Sequence, residues 1–203
     1  MKTLSGRPLI VAIVGESASG KSRISDYIGK RYQVPLITSL TDRAKRPKEI
    51  EDERNGVILN HLFVTPEEFD AIPPADMIAY TKFGDYRYCC RKEDVNPVNT
   101  YVIDETGLEM LLQKYALDYD IVSVRIQCNL SQRARRIAVD GENVIKRMSR
   151  DIGKFNLPID WYDFIINTDD GEELAKRSVD RLMSELLLEF TDCNAMGDET
   201  VEY

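Results

Sequence analysis

Gly15-Glu16-Ser17-Ala18-Ser19-Gly20-Lys21-Ser22 is the stretch on which the reading of this chain turns. It satisfies the phosphate-loop pattern G-x-x-x-x-G-K-[ST] at every fixed position. An apolar run, Leu9-Ile10-Val11-Ala12-Ile13-Val14, precedes it, and a helix-capable run from Lys21 to Arg31 follows. A strand, a tight glycine turn and a helix N-terminus aim backbone N–H groups and a positive dipole end at one point. A polyphosphate is the natural guest. Gly15, Ser17, Ala18, Ser19 and Gly20 are expected to cradle it, with Lys21 on the β- and γ-phosphates and Ser22 on Mg²⁺.

Outward from the loop, strand-like runs alternate with helical patterns. The runs are Leu36-Ile37, Tyr101-Val102-Ile103, Ile121 to Ile126, and Phe164-Ile165-Ile166. The helical segments are Gly107–Tyr115, Ser131–Ala138, Glu142–Gly153 and Glu172–Glu189. Near-continuous apolar runs suit parallel strands buried on both faces. The alternation predicts an α/β fold, a doubly wound parallel sheet of the P-loop NTPase type.

Residues 38–92 break the rhythm and read as an inserted small lobe of mixed strands. Thr41–Asn60 is charged and lacks periodicity, which predicts an exposed loop. Thr65-Pro66-Glu67-Glu68 is a helix start, with Thr65 as cap, Pro66 at the first position and Glu68 completing a capping box. Ile78–Phe83 and Tyr86–Cys90 read as two strands about a Gly84-Asp85 turn. The core is expected from residues 1–37 and 93–190, with a helical lid around 133–150. Residues 191–203 read as an acidic, frayed tail.

The formal net charge of −8 over 203 residues lacks the basic footprint of a nucleic-acid binder. Local basic clusters in an acidic chain point instead to small anionic ligands. The four cysteines, Cys89, Cys90, Cys128 and Cys193, form no C-x-x-C pair, and no apolar run reaches the length of a membrane span. These features suit a cytoplasmic protein with small-molecule partners, and neither nucleic acid nor membrane among them. A homodimer is left open.

Arg43 and Arg46 lie on one loop, where two guanidinium forks suit a phosphate monoester. Arg133 with Arg136, and Arg147 with Arg150, repeat at three-residue spacing around a Val139-Asp140-Gly141 hinge. Arginines from a lid can stabilise the charge of a transferring phosphoryl group. Asp104 ends an apolar strand, where an acid commonly supports Mg²⁺, and Glu105 competes for that role.

In their order these parts resemble the guanylate kinase family, from about Leu9 to Leu188. Ser39-Leu40-Thr41-Asp42-Arg43-Ala44-Lys45-Arg46-Pro47 is similar to its serine–arginine–arginine segment for the acceptor monophosphate. His61-Leu62-Phe63-Val64 is similar to its Tyr-x-Phe-Val segment, with His61 in place of a phosphate-contacting tyrosine. Phe83–Tyr88 resembles a strand pair that puts Tyr88 on the acceptor phosphate. Asp104-Glu105-Thr106-Gly107 resembles its Asp-x-x-Gly segment, and Ile145-Lys146-Arg147-Met148 its post-lid helix. Phe164 to Asp170 is similar to the late strand whose Asn167 lies near the donor adenine.

The resemblance implies an ATP-dependent, Mg²⁺-requiring nucleoside monophosphate kinase. Lys21, Arg136, Arg147 and Arg150 would be catalytic. Ser39, Arg43, Arg46, His61, Ala79, Tyr88, Cys90 and Asp104 would hold the acceptor, and Ser22 and Asp104 the metal. The sequence also departs from the family. Ala79 stands where the family has a glutamate that reads guanine, and an alanine accepts no hydrogen bond. Cys90 replaces a small hydroxyl residue. The lid is short by an arginine, for which Arg133, Arg135 or Arg150 could substitute. A kinase of a phosphorylated sugar such as ribose bisphosphate fits these departures too. A guanylate kinase-like binding module without catalysis is the non-enzyme alternative, against which the intact Gly15–Ser22 argues.

Overall fold

A computed structural model describes residues 4–56, 59 and 61–197. Its first strand, β1 (Leu9–Val14), is buried along its whole length. It leads through the glycine loop into α1 (Lys21–Tyr32). Then come β2 (Ser39–Thr41), α2 (Pro47–Arg54), β3 (His61–Phe63), α3 (Pro66–Asp70), β4 (Met77–Phe83) and β5 (Tyr86–Arg91). The chain continues through β6 (Val98–Ile103), α4 (Glu105–Lys114), β7 (Asp120–Gln127), α5 (Leu130–Val139), α6 (Val144–Met148), β8 (Phe164–Asn167) and α7 (Glu172–Gly197).

Four strands pair in the order β6-β1-β7-β8, all parallel, with Leu9 opposite both Val98 and Asp120. Successive side chains of a strand leave by opposite faces. Accordingly Leu9, Val11 and Ile13 pack with Ile24 and Ile28 of α1 and with Val179, Leu182, Met183 and Leu186 of α7. Ile10, Ala12 and Val14 pack on the other side with Leu108 and Leu111 of α4. The sheet is therefore covered on both faces, which is why its strands read as continuous apolar runs. Asp180 of α7 accepts hydrogen bonds from the Tyr27 and Tyr32 hydroxyls, each at 2.8 Å, and so ties α7 to the loop-bearing helix.

A second sheet runs β3-β2-β5-β4, with β2 parallel to β3 and antiparallel to β5. β4 and β5 pair about the Gly84-Asp85 turn, but their register shifts between Ile78 and Thr81. Ala79 lies in that bulge at φ 51°, a left-handed conformation that costs a residue with a Cβ. Ile78, Ala79 and Cys90 extend the apolar cluster beneath β1 and so join the two sheets.

Several sequence expectations need correction. Within 41–60, read as an exposed loop, Pro47–Arg54 is a helix. It starts with Pro at its first turn and Glu49 folded back on its N-terminus, but none of its residues is buried. A helix without an apolar stripe carries no periodicity to detect. Val57, Ile58 and Asn60 lie outside the described residues. Leu36-Ile37 is a single parallel bridge, Leu36 to Thr100, not a strand. The expected helix 142–153 is shorter, because Asn143 caps it at Lys146 N–H and Ser149–Asp151 tightens into a 3₁₀ turn. Helix α7 continues past Glu189 to Gly197, so the tail is helical where described; residues 198–203 lie outside the description. The Thr65 capping box is present as read. Among the described residues no helix is long and apolar enough to cross a membrane.

Candidate active site

The glycine loop owes its shape to contacts that leave no room for side chains. A Cβ on Gly15 would sit 2.7 Å from the carbonyl oxygen of Ile126 and from Ser19 Oγ. Gly20 caps α1 at φ 110° and brings no side chain to cap the helix. The amides of a helix start point along its axis and suit an anion. Lys21 Nζ folds over the loop and donates to the carbonyls of Gly15 at 2.6 Å and Glu16 at 2.9 Å. Burial pushes its ammonium down to about 8. Asp151 opposes that shift, and the charges of Arg147 and Arg133 add to it.

One cleft of about 180 Å³ joins this loop to the second sheet. Gly15, Ser17 and Lys21 line one end, and Ser39, His61, Ala79, Thr81 and Tyr88 the other. Asp104 and Asp151 supply carboxylates to its wall, beside Tyr101, Ile103 and Phe155. Asp104 caps α4, accepting from Gly107 N–H at 2.8 Å. Burial raises its carboxyl above the usual range, against the pull of the Gly107 amide and of Lys154 and Lys21. Glu105, the competing acid, is buried away from the cleft. It accepts from the amides of Asn156 and Leu157, bonds the Tyr162 hydroxyl and pairs with Arg125 at 3.6 Å. That separates the two acids: Asp104 faces the cleft, and Glu105 anchors the 152–162 segment.

Beside the cleft-lining His61 and Tyr88 lies a basic group, although Arg43 and Arg46 do not themselves line the cleft. Arg43 is buried and forks onto Glu49 of α2 at 2.8 and 2.9 Å, with its guanidinium 5.0 Å from the Phe63 ring centre. Burial, then the positive charges of Arg147 and Arg43, lower the guanidinium of Arg46. Three arginines from two parts of the chain are thus in one field. His61 packs on Phe63 and Tyr88, its Nδ1 is buried without a hydrogen-bond partner, and burial followed by Arg43 pushes its imidazole down to about 4.

The other expected residues are placed differently. Arg136 donates to the carbonyls of Ala18 and Ser19, both at 3.0 Å, and to Thr168, so it grips the loop from outside the cleft. Arg147 pairs with Glu142. Arg135 and Arg150 are exposed. Ser22 opens α1 beside Lys21. Asn167 closes β8 and accepts from Asp169 N–H. Cys90, expected against the acceptor, is fully buried in the apolar cluster with Ile78 and Tyr101 and does not line the cleft. Its thiol is pushed up to about 12 by burial. Two residues on from Tyr88, Cys90 shares its face of β5, but there it packs with Ile78 and Tyr101 in the apolar cluster and not against the open cleft.

Three contributors escape a reading of the sequence. Asp151 accepts from Ser17 N–H and from Ser17 Oγ, both at 2.9 Å. Thr168 Oγ1 donates to Ser19 O at 2.8 Å. Arg125 pairs with Glu16 at 2.8 Å, inside the loop itself. The only sequence signals are an acid four residues after Arg147, a threonine after Asn167 and an arginine within the β7 run.

No family model matches the chain. It is 26% identical over 182 residues to a guanylate kinase of Rhizobium johnstonii, across 82% of this chain and 78% of that protein. It is 26% identical over 196 residues to a guanylate kinase of Rickettsia felis, across 90% and 97%. Among solved structures it is similar to guanylate kinase from Anaplasma phagocytophilum, with a TM-score of 0.60 at 20% identity, over 88% of this chain and 87% of that one.

Proposed function

We propose, for a P-loop kinase whose relatives and fold support a place in the guanylate kinase family, that it transfers the γ-phosphoryl of MgATP to a (deoxy)nucleoside monophosphate. The observation that carries the reading is the shared cleft. Phosphate-loop residues Gly15, Ser17 and Lys21 open into the same space as Ser39, His61 and Tyr88 of the second sheet. Donor and acceptor phosphates bound at its two ends would meet between them.

In this reading residues 38–92 carry the acceptor and 133–150 close over the phosphates. The loop amides and Lys21 hold the donor, while Arg43, Arg46 and Tyr88 hold the acceptor phosphate. That phosphate must compete with Glu49 for the Arg43 fork. Arg147 lies in the field of both Lys21 and Arg46, a position from which it can neutralise charge on the group in transfer. No general base is needed, because the acceptor oxygen is already an anion; positioning and electrostatics carry the rate.

The Ser22 hydroxyl and the Asp104 carboxylate are hard oxygen donors of the kind Mg²⁺ takes, and Asp104 faces the cleft, so these residues fit the ion. When bound with the phosphates, the ion offsets their charge.

A second reading, a kinase of a phosphorylated sugar, is favoured by Ala79. It lines the cleft where a base-reading carboxylate would stand and offers only a methyl group. The deciding experiment is a coupled ADP-release assay with MgATP against all ribo- and deoxyribonucleoside monophosphates and a set of ribose phosphates. Turnover with a nucleotide supports the first reading, and turnover with sugar phosphates alone supports the second. Silence with every acceptor would overturn both. Lys21→Ala is expected to abolish transfer, and transfer unchanged by it would remove the phosphate loop from the mechanism.

A further inference from the structure

Ser17 stands within the phosphate loop, yet both its donors are engaged by a carboxylate from elsewhere. Its amide donates to Asp151 Oδ2 and its hydroxyl to Asp151 Oδ1, each at 2.9 Å. Arg133 closes the circle. Its Nε donates to Ser17 O at 2.9 Å, its Nη2 bonds Asp151, and its Nη1 lies 3.9 Å from Glu16. The side chains of Arg133 and Asp151 are 8% and 7% exposed, so the pair is held out of water. Ser17 and Asp151 nevertheless both line the cleft.

To an N–H donor, a carboxylate oxygen and a phosphoryl oxygen offer the same thing, a compact anionic acceptor. We propose that Asp151 occupies the position of the terminal phosphoryl group of a nucleoside triphosphate. The triphosphate displaces it and takes over the Ser17 amide and Arg133, leaving the Ser17 hydroxyl as a contact of Asp151 alone. Arg133 is then a contact to the transferring group, the arginine that completes the set. Arg136 is engaged with loop carbonyls outside the cleft, and Arg135 and Arg150 are exposed. Asp151 becomes a determinant of selection between nucleotides. A diphosphate stops one group short and leaves it seated, whereas a triphosphate brings a second anion to the same donors. Two like charges in that space repel, so Asp151 weakens the triphosphate and not the diphosphate.

The inference rests on the donor end of the cleft binding ATP, and its test needs no acceptor. MgATP and MgADP are titrated calorimetrically into the full chain and into Asp151→Asn, Arg133→Met and Ser17→Ala. Asp151→Asn is expected to tighten MgATP on the order of tenfold while leaving MgADP within about twofold. Arg133→Met is expected to weaken MgATP selectively. Ser17→Ala, which removes one bond to Asp151, should move the ATP-to-ADP ratio the same way as Asp151→Asn but less. A merely structural tether predicts the opposite sign, with weaker binding of both nucleotides. Equal loss for both, or a ratio unmoved by Asp151→Asn, overturns the proposal. If Asp151→Asn fails to fold, by its melting curve, the Ser17→Ala ratio decides, and no shift toward ATP overturns it. Wild-type protein that binds neither nucleotide would instead refute the donor-site reading itself.

Discussion

His61 shows how a single side chain can carry a pH signature. Its Nδ1 is buried without a partner, and its imidazole is held down to about 4 by burial and then by Arg43. The unfolded chain protonates it near the ordinary imidazole value of 6.5. Between those values the unfolded state binds a proton that the folded state refuses, so stability rises with pH across the window. It is lost as pH falls from about 6.5 and levels off below about 4. At roughly 1.4 kcal/mol per unit, the contribution is about 3 kcal/mol. Urea midpoints measured from pH 4 to 7 should show this slope, and His61→Gln should remove it. A slope unchanged in the variant would place the proton elsewhere. Residues also set what could be read in advance. The loop was legible because its fixed positions answer to backbone geometry, as Gly15 does against Ile126 and Ser19. Asp151 was not, because an acid four residues after an arginine is the commonest pattern of a solvated helix face.

At the scale of elements, α4 has two tasks at one residue. Asp104 caps the helix through Gly107 N–H and also faces the cleft. The tasks separate by substitution. Asp104→Asn keeps a good cap but loses the charge, whereas Asp104→Ala loses both, at a cost of about 1 kcal/mol for the cap. We expect Asp104→Asn to melt close to wild type and to need more Mg²⁺ for half-maximal turnover. Asp104→Ala should share that demand and also melt lower. Equal Mg²⁺ demand in all three proteins would leave Asp104 as a cap alone. The elements read correctly from sequence were those with a buried stripe, such as β1, β7 and α1. Helix α2 was missed because it buries nothing, and the β4 bulge because Ala79 is a residue that ordinarily avoids positive φ.

For the whole molecule, the second sheet is joined to the main one by apolar packing and to the α5–α6 region by charge. Lys48 of α2 reaches Asp140, between α5 and α6, at 2.7 Å. Both side chains are substantially exposed, and such pairs contribute less than about 1 kcal/mol. Lys48→Ala is therefore expected to lower the melting temperature by no more than about 4 °C. Scanning calorimetry would check this, and a larger drop would mean that the contact organises the cleft as a whole. The order of the motifs announced the two-sheet arrangement. The way the sheets share a core through Ile78, Ala79 and Cys90 depends on a bulge that no local pattern encodes.

That shared core has a chemical consequence. Cys89 and Cys90 are fully buried on β5, with thiols pushed up by burial to about 11 and 12. A thiol that neither ionises nor meets solvent is inert toward alkylating reagents and peroxide. Adjacent in sequence but turned to opposite faces of one strand, the two are sheltered by different packing, Cys89 with Leu40 and Phe69, Cys90 with Ile78 and Tyr101. Their modification rates would count two separate kinds of breathing, one within the second sheet and one at its seam with the first, so the chain carries a pair of natural probes at the joint on which the proposed chemistry depends.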